Sequence, residues 1–273
     1  MGETEKKIVL FGAGNLANHL APALQKCGYR IIQVISRNIE SASALASKLG
    51  AIAEINYSNV IPDSDFYLIC VSDSQIENVI RDCNPVGKFL IHTSGSTPMS
   101  IFSKYSSMFG VLYPLQTFTK SKKVDLKQVP FFIEASSQSE LEQIRVMASG
   151  LSDIVKLADS EQRLYLHLCA VFTCAFTNQM YVIAEKICRD KGLSFELLHP
   201  LLLETSAKAI QMSPELAQTG PAARNDLVIL KKHIEQLEQY PEFRKIYTFV
   251  TASILRMKGY STESIISLPG KDE

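Results

Sequence analysis

The feature that most constrains this chain is a short apolar run, Lys7-Ile8-Val9-Leu10-Phe11, that ends in Gly12-Ala13-Gly14-Asn15-Leu16-Ala17. A helical pattern follows from Asn15 to Cys27, with Pro22 inside it, and Gly28 stops it. Residues 31–35 then read as a second strand. A glycine pair between a strand and a helix, closed by another strand, is the opening βαβ unit of a doubly wound sheet. Further along, residues 39–49 read as a helix, and 52–55, 65–71, 89–91, 110–112 and 131–133 as strands. Strands alternating with helices at this spacing predict an α/β, parallel-rich sheet with right-handed crossovers.

Beyond Val155 the pattern becomes wholly helical. Asp159 and Gln162 have capping-box spacing, no proline or glycine follows until Lys191, and Gly192 ends the segment. One helix of about 30 residues, roughly 45 Å long, is expected there. Further helices are expected over 194–212, 226–239 and 241–258. The division predicted is a Rossmann-type domain over 1–157 and an all-helical domain over 158–273. The last four residues, Gly270 to Glu273, are expected to fray.

Bulk properties narrow the partners. A chain of 273 residues suits two modest domains. Lys+Arg and Asp+Glu balance at 28 each, which removes any general attraction for nucleic acid or an anionic membrane and favours a small-molecule partner. The charged start, MGETEKK, has neither a signal-peptide nor a transit pattern, and charges or amides break the apolar stretches before ~18 residues. A soluble, cytoplasmic protein with no membrane span is therefore expected. Cys27, Cys70, Cys83, Cys169, Cys174 and Cys188 form no C-x-x-C pair and read as reduced core thiols, with no metal site.

The G-x-G-x-x-A run suits a dinucleotide. Gly12 permits the tight turn, Gly14 lets backbone approach a pyrophosphate, and the helix opening at Asn15 and Leu16 offers free N–H groups and a partial positive charge. At the end of the second strand an NAD site usually places an acid. Here Ser36 and Arg37 stand instead, and an arginine pairs with phosphate oxygens, so NADP is expected over NAD. Val71-Ser72-Asp73 and Thr93-Ser94, at later strand ends, face the same crevice and fit close approach of the nicotinamide ribose. Asp73 alternatively caps the helix that follows.

Together these segments resemble the NADP oxidoreductases that join a Rossmann domain to a helical C-terminal domain. That group is related to 6-phosphogluconate dehydrogenase, prephenate dehydrogenase, ketopantoate reductase and pyrroline-5-carboxylate reductase. The matching stretches are Gly12-Ala13-Gly14, Val71-Ser72-Asp73, His92-Thr93-Ser94-Gly95, Tyr113-Pro114-Leu115-Gln116-Thr117-Phe118, Arg163 to His167 and Thr219-Gly220-Pro221-Ala222-Ala223-Arg224. The resemblance implies a homodimer built through a 6-phosphogluconate dehydrogenase-like helical domain, with the active site between domains. Three positions depart from the family pattern: Tyr113 stands where His is frequent, Ala175 where Asn is, and Asn225 where Gly is. The lysine that related dehydrogenases carry on the long helix has no counterpart between Leu166 and Tyr181.

Candidates for the chemistry follow from position and type. His167, Cys174 and Asn178 fall on one helical face if every residue turns about 100°. His167 is the better proton donor, because its ordinary pKa lies near neutrality; the alternative is a His hydrogen-bonded within a helix interface. His92 either takes part in the chemistry or holds the Thr93 loop. Arg224, in a Gly-Pro-Ala-Ala loop, suits an anionic substrate group, or else a surface salt bridge. Tyr113, Gln116 and Thr117 would line the cleft, and Tyr113 could also donate a proton. Two functions compete: an NADP-dependent oxidoreductase moving hydride to or from a carbonyl or imine carbon, and a catalytically inactive NADP-binding sensor or assembly protein.

Overall fold

The computed structural model describes residues 5–85 and 87–266, apart from the side chains of Ser264 and Ile266. The C-terminal residues 270–273 lie outside it. An eight-stranded sheet runs β1 (Lys6–Phe11), β2 (Tyr29–Ile35), β3 (Ile52–Glu54), β4 (Phe66–Ile69), β5 (Phe89–His92), β6 (Phe109–Pro114), β7 (Phe131–Ala135) and β8 (Val155–Leu157) in chain order. In space the order is β3-β2-β1-β4-β5-β6-β7-β8. Every pair is parallel except β6 with β7. The strand order reverses between β1 and β4, and an open sheet of this kind binds ligands at the carboxyl ends there.

Helices α1 (Asn15–Lys26), α2 (Ile39–Leu49), α3 (Ile76–Cys83) and α4 (Gln138–Leu151) complete the crossovers. All four residues of β4 and of β5 are buried, as strands covered on both faces require. One apolar layer gathers Leu20, Leu24, Phe66, Leu68, Ile91 and Ile144; the opposite layer gathers Val9, Phe11, Tyr67, Val79, Leu90 and Phe102. Leaving such side chains in water would forfeit about 1.5–3 kcal/mol each, so these layers fix the frame that holds the loops.

Strand β8 was not foreseen, because three residues against a sheet edge are too few to show a period. The long helix departs more instructively. It is α-helical over Ser160–Ala170 (α5), π-helical over Val171–Phe176, and α-helical again over Thr177–Asp190 (α6). The capping box at Asp159 and Gln162 forms as its spacing predicts. Thr173 Oγ1 donates to the Cys169 carbonyl and Thr177 Oγ1 to the Phe172 carbonyl, giving the widened turn side-chain bonds of its own.

By internal contacts the chain divides after Thr177, later than residue 157, because α5 is tied to the sheet through the buried side chain of Arg163. The second unit holds α6 and helices over His199–Gln211, Leu227–Gln236 and Pro241–Met257, each slightly shorter than its sequence pattern. A small core of Ala222, Leu230, Ile234, Leu255 and Ile265 lies within it.

Two expectations are corrected here. Cys70 is buried, but Cys169 and Cys174 are exposed, so the six free thiols are not all core residues: the long helix is not enclosed. And Ser160–Asp190, at 31 residues with a mean hydropathy of 1.3 over its best 18-residue window, is long and apolar enough by length and composition to cross a membrane.

Candidate active site

The turn after β1 is built as its glycines require. Gly12 has φ +103°, and a Cβ there would stand 2.3 Å from the Cys70 carbonyl oxygen, so this residue also lets the ends of β1 and β4 close up. Gly14 differs: it is the N-cap of α1, no side chain caps that helix, and a Cβ on it would meet nothing within 4 Å. The open space and the uncapped amides of the first turn fit a pyrophosphate. Asn15 and Gly14 are exposed, Leu16 is half-buried, and Ala17 is packed against the sheet.

At the end of β2, Ser36 is half-buried and Arg37 exposed, and Asn38 caps α2 by accepting from the Ser41 amide. Arg37 makes no ion pair among the described residues. The Glu54 carboxylate, at the end of β3, is taken up by the amides of Ile55 and Asn56 and by the Asn59 side chain. A guanidinium without a carboxylate partner fits a 2′-phosphate. Arg37→Ala is expected to weaken NADPH binding at least ~10-fold and leave NADH binding within about 2-fold, on the scale of one lost charge-assisted contact. Calorimetry with both cofactors checks this, and equal losses for the two would contradict it.

The loops after β4 and β5 lock together. Val71 is half-buried and Ser72 exposed, and Asp73 does not cap α3; it accepts a short hydrogen bond from the Ser96 hydroxyl. Thr93 and Ser94 are buried. Thr93 Oγ1 lies 3.4 Å from the Ile69 carbonyl, and Ser94 Oγ donates to Thr97 Oγ1 while accepting from the amides of Ser96 and Thr97. The Ser94 hydroxyl is thus engaged within its own loop.

His92 takes the loop-holding role. Its Nδ1 accepts from the Ser94 amide at 3.1 Å. Burial, and next the charge of Arg163, push its pKa down to about 3. Folded protein therefore resists protonating His92 while unfolded chain accepts the proton near pH 6.5. Stability is full above that pH and falls progressively toward pH 3, by up to ~1.4 kcal/mol per pH unit. Denaturant unfolding at pH 7 and pH 5 should show the loss, and His92→Gln should reduce it; an identical pH slope in that variant would contradict the assignment.

Beside this loop lies a cavity of about 460 Å³ lined by residues of β6, the segment after it, α5 and the π turn. Tyr113, Gln116, Thr117, His167 and Cys174 are among its walls. Tyr113 Oη and His167 Nδ1 are 3.2 Å apart, with the rings edge to face. Burial, and then the charge of Asp73, raise the Tyr113 pKa above its ordinary value, against a smaller lowering by Arg163. Gly95 is pressed against this pair: a Cβ there would stand 2.7 Å from Tyr113 Cζ and 2.9 Å from His167 Nδ1.

Of the residues singled out from sequence for the chemistry, Tyr113 and His167 are brought together. Arg224 is not among the cavity's residues; it ends a 3-10 turn in the second unit and is exposed. Asn178 belongs to that unit too, and the six π-helical residues break the uniform 100° step on which its alignment with His167 rested. Gly95 and the buried Arg163–Glu134 pair were read only as parts of motifs or not at all. A cation one helical turn before a candidate His on an otherwise apolar helix was the available signal.

Residues 7–95 match the family described as NADP oxidoreductase, coenzyme F420-dependent, and residues 129–254 match a domain of unknown function, DUF2520. No curated protein matches the chain. Among solved structures, a Bacteroides fragilis protein to which NADP oxidoreductase activity has been ascribed is 40% identical, with a TM-score of 0.87 over 92% of this chain and 98% of its own. An imine reductase from Myxococcus stipitatus, solved with NADP+, is 17% identical with a TM-score of 0.66, over 98% of this chain and 96% of its own. A reductive aminase from Aspergillus terreus, in complex with NADPH4, cyclohexanone and allyl amine, is 17% identical with a TM-score of 0.58, over 96% and 90%. With NADP as its cofactor, a Rossmann-type N-terminal domain and a helical C-terminal region, this chain belongs to the NADP oxidoreductases.

Proposed function

We propose that the protein reduces a carbonyl or imine carbon of a small molecule, with Tyr113 and His167 managing the proton. The observation that carries this reading is the Tyr113–His167 hydrogen bond on the wall of a cavity large enough for a small substrate. NADPH, when bound, supplies the hydride. Gly12, Gly14 and the first turn of α1 receive its pyrophosphate, Ser36 and Arg37 its 2′-phosphate, and the Val71–Asp73 and Thr93–Ser94 loops border the nicotinamide.

Hydride arrival leaves negative charge on the substrate oxygen or nitrogen, and a proton must meet it. The raised pKa keeps the Tyr113 phenol protonated at neutral pH and disfavours free phenolate. Loss of the Tyr113 proton must therefore be matched by a proton from His167, which the 3.2 Å contact permits. This division of labour favours turnover over a cofactor sensor, because a sensor needs no such relay beside a cavity.

Among the described residues, the cavity walls carry no arginine or lysine, so an apolar body on the substrate suits them. An anionic group on the substrate depends on Arg224, which stays our candidate for it. A screen of 2-oxo acids, cyclic imines and aldehydes, followed by NADPH absorbance, tests the reaction class. Arg224→Ala should raise KM for the acids and leave the neutral compounds unchanged. Oxidation of NADPH by none of them would leave the sensor reading ahead.

We also infer a cytoplasmic homodimer with no nucleic-acid or membrane partner. Leu164, Leu168, Phe172 and Phe176 in the first unit, and Leu197, Leu201, Leu203 and Phe249 in the second, leave large apolar areas exposed. Since His167 and Cys174 on the same long helix line a cavity with Tyr113, a second copy suits that helix better than lipid. Light scattering at micromolar concentration should give twice the chain mass, and a monomer mass would overturn the inference.

A further inference from the structure

Among the described residues, the largest fully buried side chain is an arginine. Arg163 is 0% exposed, and a guanidinium so placed costs several kcal/mol unless every donor finds a partner. Its Nη1 lies 2.5 Å from the Glu134 carboxylate on β7. Nη2 donates to the Thr97 carbonyl at 2.7 Å and Nε to the Ser94 carbonyl at 3.2 Å. Ser160, at the first turn of the same helix, donates to Glu134 and accepts from the Met99 amide. One side chain thus joins β7, both ends of the 94–97 loop and the start of α5.

The two pieces it joins are the two that hold the proton-handling pair. His167 is four residues after Arg163 on α5, hence one turn further on the same face. Gly95 lies between the two carbonyls that Arg163 grips, and its backbone presses on Tyr113 and His167 with no room for a methyl group. We propose that Arg163 is a positioning residue: it sets the axial place of α5 against the 94–97 loop and so fixes the Tyr113–His167 hydrogen bond. This rests on the proton role assigned above to that pair, although the geometric claim can stand without it. Lysine cannot serve instead, since a single ammonium cannot reach Glu134, Ser94 and Thr97 in three fixed directions at once.

Nitrogen NMR of histidine-labelled protein tests this without a substrate. The His167 Nδ1 signal is assigned by its loss in His167→Gln, and Tyr113→Phe defines its position when the hydrogen bond is gone. In Arg163→Lys, and in the milder Glu134→Gln, the signal should move toward the Tyr113→Phe position. In Glu134→Gln, near-UV dichroism and NADPH affinity should stay within about 2-fold of the unmutated protein, because the Glu134 side chain bonds Arg163 and Ser160 and not the Thr93–Ser94 loop. With a substrate from the screen, kcat should fall about 10- to 100-fold at nearly constant KM, as misplacement of a reacting group does. If the His167 signal keeps its unmutated position in folded Glu134→Gln protein, the proposal is overturned. If the signal moves but Tyr113→Phe leaves kcat intact, the positioning stands and the catalytic reading of the pair fails.

Discussion

Gly12→Ala is expected to cost this protein roughly 2–6 kcal/mol of stability, about 1–3 from a backbone angle that alanine tolerates poorly and 1–3 from the clash. The added methyl group would lie 2.3 Å from the Cys70 carbonyl oxygen, at a φ of +103°. Backbone cannot swing aside as a side chain can, because the Cys70 amide itself donates to the Phe11 carbonyl and holds β4 beside β1. For a chain of this size the melting temperature should drop by on the order of 5–20 °C, with NADPH binding reduced as the turn deforms. Gly14→Ala is the control. Its methyl group would enter open space at an ordinary φ of −76°, so melting should hardly change while NADPH affinity falls. A Gly12→Ala protein that melts within 2 °C of the unmutated one, by roughly the same scale, would mean the strands can part at no cost.

The second large effect belongs to the proton pair. Tyr113→Phe keeps the ring and its packing on Phe132 and removes one hydroxyl, so the reduction rate should fall about 100-fold or more with little change in KM. His167→Ala should cost a similar factor. Because the two act as one relay, the double variant should be no slower than the slower single variant; groups that work as a unit are grossly non-additive. The unmutated enzyme should not lose rate between pH 7 and 9 through Tyr113, since burial raises its pKa and keeps it protonated there. Independent, multiplying losses in the double variant would place the two side chains in separate steps.

How much of this was legible beforehand depends on how local the cause is. The βαβ opening, strands β1 to β7 and the capping box at Asp159 follow from periodicity and spacing within a few residues, and the structure has them close to where the sequence puts them. His167 and Tyr113 were each nameable from residue type and neighbouring motif. Their pairing was not, since it joins β6 to α5 across 54 positions through tertiary packing. Gly95 was invisible for the same reason: its need to be glycine comes from two side chains remote in sequence. The face assigned to Asn178 failed on a different ground, because hydrophobic periodicity assumes a constant turn and cannot register one that widens at Val171.

That widened turn leaves the long helix in two phases. Each hydrogen-bonded loop in residues 171–176 encloses one residue more than an α-turn, so side chains beyond it are rotated by about one residue's step, near 100°, relative to those before it. A helical wheel drawn over residues 160–190 as a single cylinder therefore superposes faces that point in different directions. Removing one residue between Val171 and Phe176 would turn the side chains of Thr177 to Asp190 about the helix axis relative to Arg163 and His167, and would also cut into the stretch that walls the Tyr113–His167 cavity.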